Sequence, residues 1–363
     1  MRVLHILVQL RASGAEQMLR VAAPYWRAEG LELHVLETSA EPGHFTEALE
    51  DAGYHVDRLP LQRRPSDITA LKNFMRQGGY DVVHVHPEGA DLIPVVAARL
   101  AGVPAIVRTV HHIFPYQGYL RQRKRWERRF TRALGTHHIC NSKSGSKNER
   151  ETLQNPHTLV FNWYDDEHFQ PPTRSQREAA RRSLGVEGDR KVFVSVGGCA
   201  AYKNHDLILR ALMQVPEVLY LHSGPEPDDS ERRLANELGV GAQVRFLGVV
   251  PDVADVFHAA DGYLMPSTIE GFGVAAAEAL GCGVPVILSD RPALWDLKDL
   301  VPGTWVPLEA DQLANAMRSL AKRSDDDRRS EGEEASQIAR TNFGAKAGAD
   351  GYLRVYRNVI AGR

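Results

Sequence analysis

An α/β protein of two domains, each built on a mostly parallel sheet, is the fold class this sequence predicts, and three observations predict it. The chain has 363 residues, enough for two complete cores. Short apolar runs alternate with longer stretches of helical periodicity from end to end. The alternation breaks once, in the polar segment Asp165–Thr173, where Pro171-Pro172 halts regular structure.

Val3–Val8 reads as the first strand, and the apolar run Val3–Leu10, interrupted by His5 and Gln9, is too short for a membrane span and has no small-residue cleavage site after it. Gly14–Glu29 follows as an amphipathic helix. Leu31–Glu37, Asp81–Val85, Val103–Val110 and His137–Cys140 are further strands, with helical patterns at Leu92–Ala101 and Arg121–Leu134. After the break, Arg174–Leu184 is helical, Lys191–Val196 a strand and Asp206–Met213 a helix. Val218–His222, Val244–Phe246, Gly262–Met265, Pro285–Leu288 and Thr304–Pro307 are short strands. Such alternation implies right-handed crossovers. Domains at 1–170 and 171–342 result. Residues 343–363 form a terminal helix, with one apolar face at Tyr352, Leu353, Val355, Tyr356, Val359 and Ile360, able to pack on its own domain or cross back to the first.

A net charge of −2 gives no global case for nucleic-acid binding. The three cysteines, Cys140, Cys199 and Cys282, are far apart and form no C-x-x-C pair, which argues against a disulfide framework or a zinc ribbon and suits a cytoplasmic protein. Asp325 and Asp327 spell D-x-D, but inside a charge run that reads as a solvated helix.

Met265–Asp290 carries the strongest chemical signal. A strand ends at Met265; a loop with Ser267, Glu270, Gly271 and Gly273 follows; a small-residue helix runs from about Val274 to Leu280. Glycines at such a turn let backbone N–H groups approach a ligand, and the helix start favours a diphosphate or sugar hydroxyls. Glu278 lies more than one turn inside the helix. A second constellation, Val192–Leu209, ends a strand in Gly197-Gly198 and leads through a loop to Lys203, a point charge suited to a leaving diphosphate.

Glu270-Gly271-Phe272-Gly273 and Glu278 resemble the E-x7-E motif of the retaining glycosyltransferases of family 4, which have the GT-B fold: two Rossmann-like domains with parallel sheets facing across a cleft. The resemblance implies that Glu278 binds the nucleotide ribose, and that Glu270 and the amides of Gly271, Phe272, Gly273 and Val274 hold the donor sugar. Lys203 falls on the lysine of a segment resembling the family's G-R-L-x-x-x-K-G. Gly198 stands where that segment has its arginine, and Asn204 where it has its last glycine. Gln9–Leu19 resembles the G-G-A-E loop, which would turn amides near Gly14 to the diphosphate. Val107–Phe114 resembles the T-x-H stretch, with His111 on the histidine and His112 one position away. The loop with Val250 resembles the one that cradles the base. Leu159–Phe169 resembles the exit from the first domain, with Trp163 in place of glycine and Tyr164 in place of valine.

The resemblance implies sugar transfer with retention from a nucleoside-diphosphate sugar to a hydroxyl acceptor, a glycan or lipid-linked saccharide of cell-surface polysaccharide assembly. Catalytic candidates are Glu270, Lys203 and His111, and no metal or other cofactor is expected. A sugar-nucleotide epimerase of the same fold, or a catalytically silent sugar-nucleotide-binding partner, stays open. Tyr119–Arg132 holds seven basic residues against one acid, interleaved with Trp126 and Phe130. It is either a helix whose Trp and Phe face the core, or a basic aromatic face that meets anionic lipid on the inner side of a membrane.

Overall fold

A computed structural model describes the chain apart from residues 13, 63, 88–91, 112–115, 227, 292–293 and 363, and the side chain of 296. The chain forms two compact units. Met1–Tyr164 and Ala345–Arg363 make the first, and Asp165–Gly344 the second.

The first unit has seven strands: β1 (Arg2–Leu7), β2 (Glu32–Glu37), β3 (Tyr54–Arg58), β4 (Val82–Val85), β5 (Ala105–Val110), β6 (Thr136–Cys140) and β7 (Thr158–Leu159). They pair in parallel in the order β3-β2-β1-β4-β5-β6-β7. The central strands are buried along nearly their whole length because helices cover both sheet faces, and His5, His84, Arg108 and Thr109 are buried among their apolar residues. Sequence periodicity missed β3 and β7. The first is an edge strand with a single fully buried residue, Tyr54, and the second has two residues.

The second unit has six: β8 (Val192–Val196), β9 (Leu219–Ser223), β10 (Val244–Phe246), β11 (Gly262–Met265), β12 (Val286–Ser289) and β13 (Thr304–Val306). Their order is β10-β9-β8-β11-β12-β13, again all parallel. Each sheet reverses its strand order once, between β1 and β4 and between β8 and β11. Ligands of doubly wound sheets bind at such reversals, outside the carboxyl ends of the strands.

The helix Ala345–Ala361 belongs to the first unit, packed against the helix Gly14–Ala28. Trp163 explains two departures at once. Where the family has glycine, its fully buried indole donates to the Met18 carbonyl at 2.8 Å and meets Tyr352 edge to face at 4.9 Å. The returning helix approaches this closely because position 348 is glycine: a Cβ there would fall 2.0 Å from the indole ring. The first unit therefore gives up the chain at Tyr164, six residues before the boundary expected from the proline pair.

The D-x-D residues open the helix Asp325–Phe343, whose first turn is acidic and capped by Ser324, an arrangement that satisfies helix N–H groups. Among the described residues no helix is long and apolar enough to cross a membrane.

Candidate functional site

In the second unit the two loops singled out by sequence follow β8 and β11, the strands on either side of the order reversal. They are sewn together by side chain and backbone. Thr268 N–H donates to the Tyr202 carbonyl at 2.8 Å, and the Asn204 amide to the Pro266 carbonyl at 3.3 Å. Across this seam Lys203 Nζ donates to Glu270 Oε1 at 2.6 Å, and Ser267 Oγ donates to the same oxygen at 3.0 Å. Both partners of the ion pair are largely buried, with side chains 17% and 11% exposed. The Lys203 ammonium keeps N–H donors beyond the one Glu270 takes.

Asn204 stands in the left-handed region at φ 60°. That conformation suits the family's glycine, and asparagine is the substitute that tolerates it best, so the loop keeps its shape. Gly273 precedes the helix Val274–Gly281 at φ 83°, wedged against Leu294 and Met265. Its turn aims the first helical N–H groups, unpaired within the helix, out of the strand end. Phe272 is buried on Phe343, with ring centroids 5.0 Å apart. It anchors the loop through its side chain.

Glu278 differs from Glu270. Its carboxyl group is hemmed in, which raises its pKa from 4.5 to about 7; burial is the leading cause, and the charge of His168 opposes it in part. A buried carboxyl group with a raised pKa, near the end of a sheet strand, is a ligand-binding candidate on physical grounds. Gly198 lies against Pro225, and its neighbour Cys199 donates its N–H to the Pro225 carbonyl at 3.0 Å. Lys203 fills the space beside Gly197, with Nζ 3.7 Å from where a Cβ would sit. Val250 is on the loop after β10, four residues beyond that strand.

In the first unit, Gly14 opens the helix that follows β1, and Ser13 beside it is outside the described residues. His111 stands just past the end of β5; its carbonyl accepts from the Asn141 amide at 3.1 Å. His112 is outside the described residues. The structure adds something that the motif did not convey: His111 ends a row of imidazoles. His86 Nδ1 and His111 Nε2 are 3.1 Å apart, and His5 Nδ1 and His86 Nε2 are 3.0 Å apart. Burial, reinforced by the neighbouring rings, keeps His84 and His86 well below the usual histidine range, and burial alone holds His5 at about 3.

The row has a direction. His5 Nε2 is buried without a partner, so its proton belongs on Nδ1, where it is donated to His86. His86 in turn donates from Nδ1 to His111 Nε2. His111 is thereby fixed as the Nδ1–H tautomer. Period-two reading of β4 would have found part of this, since His84 and His86 share a face and His5 pairs with His84 across the sheet. The cluster is not a chelate. His84 and His86 stack at 4.2 Å, and both nitrogens of His84 are engaged at 2.7 Å, one by Tyr356 and one by Thr109.

The basic helix, Gly118–Ala133, turns the opposite way from one of the two expectations. Trp126 is 68% exposed and Phe130 51%. The face turned inward is polar: Lys124, Arg128 and Thr131, with Arg128 paired to the buried Glu149 at 3.0 Å.

Comparison with known proteins accords with this architecture. Residues 12–168 match the family described as Glycosyltransferase Family 4, and residues 176–337 that described as Glycosyl transferases group 1. The D-inositol 3-phosphate glycosyltransferase of Mycobacterium marinum is 36% identical over 174 residues, 45% of this chain and 37% of that protein. The chain thus spans little more than a third of the curated relatives it matches. Among solved structures, a glycosyltransferase from Rickettsia africae superposes with a TM-score of 0.84 at 15% identity, covering 100% of this chain and 99% of that one. HepE of Anabaena, solved with UDP and glucose, gives 0.81 at 20% identity over 99% and 100% of the two chains. WaaG, a glycosyltransferase involved in lipopolysaccharide biosynthesis, gives 0.70 at 18% over 99% and 100%. These likenesses establish the GT-B fold. With a Glycosyltransferase Family 4 domain in its first half and a Glycosyl transferases group 1 domain in its second, the chain belongs to the family 4 glycosyltransferases.

Proposed function

We propose that this protein transfers a sugar from a nucleoside-diphosphate sugar to a hydroxyl acceptor with retention of configuration, without a metal ion in the transfer step. The observation that carries this reading is the pairing of Lys203 with Glu270 at 2.6 Å at the strand-order reversal, with Glu278 on the following helix held at a raised pKa by burial. Glu278 holds the ribose hydroxyls. The ammonium of Lys203 and the N–H groups at Gly271, Phe272, Gly273 and Val274 take the charge that grows on the departing diphosphate, work a metal ion does elsewhere. Gly198 offers no second cation, so backbone amides share that load with Lys203. Glu270, fixed by Lys203 and Ser267, positions the sugar. The bond from the anomeric carbon to the phosphate oxygen breaks, and the acceptor hydroxyl bonds to that carbon on the same face. The loop at Val250 lines the base.

Relatives support the substrate class: HepE was solved with UDP-glucose, and the mycobacterial relatives are named for D-inositol 3-phosphate. The test is acceptor-dependent release of nucleoside diphosphate in buffer without divalent ions, with the product's anomeric configuration read by NMR. Retention is expected. Inversion, or release to water alone, would overturn the reading.

The acceptor we assign to this enzyme is a saccharide or lipid-linked saccharide, with a cytoplasmic place of action at an anionic membrane surface. The exposed face of the basic helix supports this, because Tyr119, Arg121, Arg123, Trp126, Arg129, Phe130 and Arg132 are all exposed on it. Each cation near such a surface adds roughly 1 kcal/mol. Flotation with vesicles containing phosphatidylglycerol should carry the protein up, and the Trp126→Ala/Phe130→Ala variant should stay behind. Equal flotation with neutral vesicles would remove the membrane from the account.

A further inference from the structure

A second set of chemistry-bearing side chains lies under the loop that carries Lys203, and the transfer reaction makes no use of it. Cys199 and His205 flank that loop, and His222 reaches it from β9. All three are buried, at 8%, 6% and 0% exposure, and their ligating atoms lie within 4.8 Å of one another. Cys199 Sγ and His222 Nε2 are 3.3 Å apart. The rings of His205 and His222 meet edge to face at 4.6 Å. Tetrahedral zinc sets sulfur and nitrogen ligands roughly 3.3–3.6 Å apart, so the observed spacing needs little adjustment.

We propose that Cys199, His205 and His222 form a transition-metal site, of the kind that takes zinc, beneath the donor loop. Two further observations point to a ligand. His205 Nδ1 is buried with no hydrogen-bond partner, an uncommon state for a ring nitrogen in a native core. His222 has its other nitrogen, Nδ1, held by Ser195 Oγ at 3.1 Å, and Ser195 is tied in turn to the Tyr220 hydroxyl. That outer bond orients Nε2 toward Cys199, as the outer shell of a metal site does. Both histidines are held below their usual pKa by burial first, and are therefore neutral, the form that binds metal.

The site differs from the imidazole row of the first unit, where both nitrogens of the middle ring are consumed. Its effect is mechanical: a bound ion ties the two ends of the segment from Cys199 to His205, and so restrains Lys203 between them. Binding replaces the thiol proton by the metal, and the proton leaves to buffer.

The experiment uses the full chain, freed of metal by chelation and titrated with Co²⁺. One equivalent should bind tetrahedrally, with visible d–d bands and a near-ultraviolet thiolate-to-cobalt band, and zinc should displace it. The Cys140→Ser/Cys282→Ser variant leaves Cys199 as the one thiol and should keep the near-ultraviolet band. Cys199→Ser should lose it, and His222→Gln should weaken binding. Absence of the band in the wild type, or its loss in the Cys140→Ser/Cys282→Ser variant with folding intact, overturns the proposal. Because the readout is cobalt absorption, neither result depends on sugar transfer.

Discussion

Lys203→Met should lower turnover by about 10²–10³-fold, the usual cost of deleting one preorganised partner of a developing oxyanion. Methionine keeps the unbranched apolar stem and removes the ammonium with its charge and N–H donors. The variant has a second signature. Glu270, with its side chain 11% exposed, would keep only the Ser267 hydroxyl against its charge. Stranding a largely buried carboxylate should cost about 2–3 kcal/mol, at the lower end for buried pairs because both partners keep some solvent. Adding Glu270→Gln removes the stranded charge, so the double variant should regain part of that stability in urea while turnover stays low. Full activity in Lys203→Met would mean that the diphosphate is held elsewhere. Unchanged stability would mean that the 2.6 Å contact contributes nothing in solution.

Glu278→Gln should divide by pH and by ligand. In the folded protein the Glu278 carboxyl titrates near 7 instead of 4.5. The folded state thus binds the proton more tightly than the unfolded chain. Its ionised form costs nothing below 4.5, costs progressively more between 4.5 and about 7, and costs its full amount above that. The difference corresponds to roughly 3 kcal/mol at most, and partial exposure brings the expectation to about 1–2 kcal/mol. Glu278→Gln should accordingly be more stable than wild type in urea at pH 8 and indistinguishable from it at pH 4. The same variant should lose the stabilisation that a nucleoside diphosphate confers, because an amide is a poorer acceptor for two ribose hydroxyls. A residue kept at a cost to stability and recovered in binding is the pattern of a functional group.

Much of this was legible in the chain. Most of the parallel strands announced themselves as mainly apolar runs, since burial on both faces leaves no regular polar alternation. The Glu270 and Lys203 loops were legible because glycines and one lysine stand at strand ends, where local conformation is written in residue type. What stayed hidden depends on tertiary packing. Edge strand β3 carries Asp57 and Arg58 where a central strand would be apolar. The imidazole row joins three strands through sheet register, and the Cys199 cluster joins segments that share no spacing motif. Trp163 looked like a departure from the exit motif until the helix around Gly348 supplied the surface it fills. The exposed side of the basic helix could not be chosen from sequence, because its inward face is also charged and is neutralised by Glu149 from a separate segment.

The account rests on a nucleoside diphosphate being held at Glu278 and the loops of Lys203 and Glu270. The most direct measurement is the thermal midpoint of wild type and Glu278→Gln with UDP, GDP, ADP, dTDP and CMP in buffer free of divalent ions. At a hundred times its dissociation constant, a ligand that binds the folded state alone adds about 2.7 kcal/mol. One diphosphate is predicted to raise the wild-type midpoint by several degrees and to leave the variant unmoved. An equal rise in both proteins would contradict the assignment of Glu278, and no rise with any nucleotide would contradict the donor site itself.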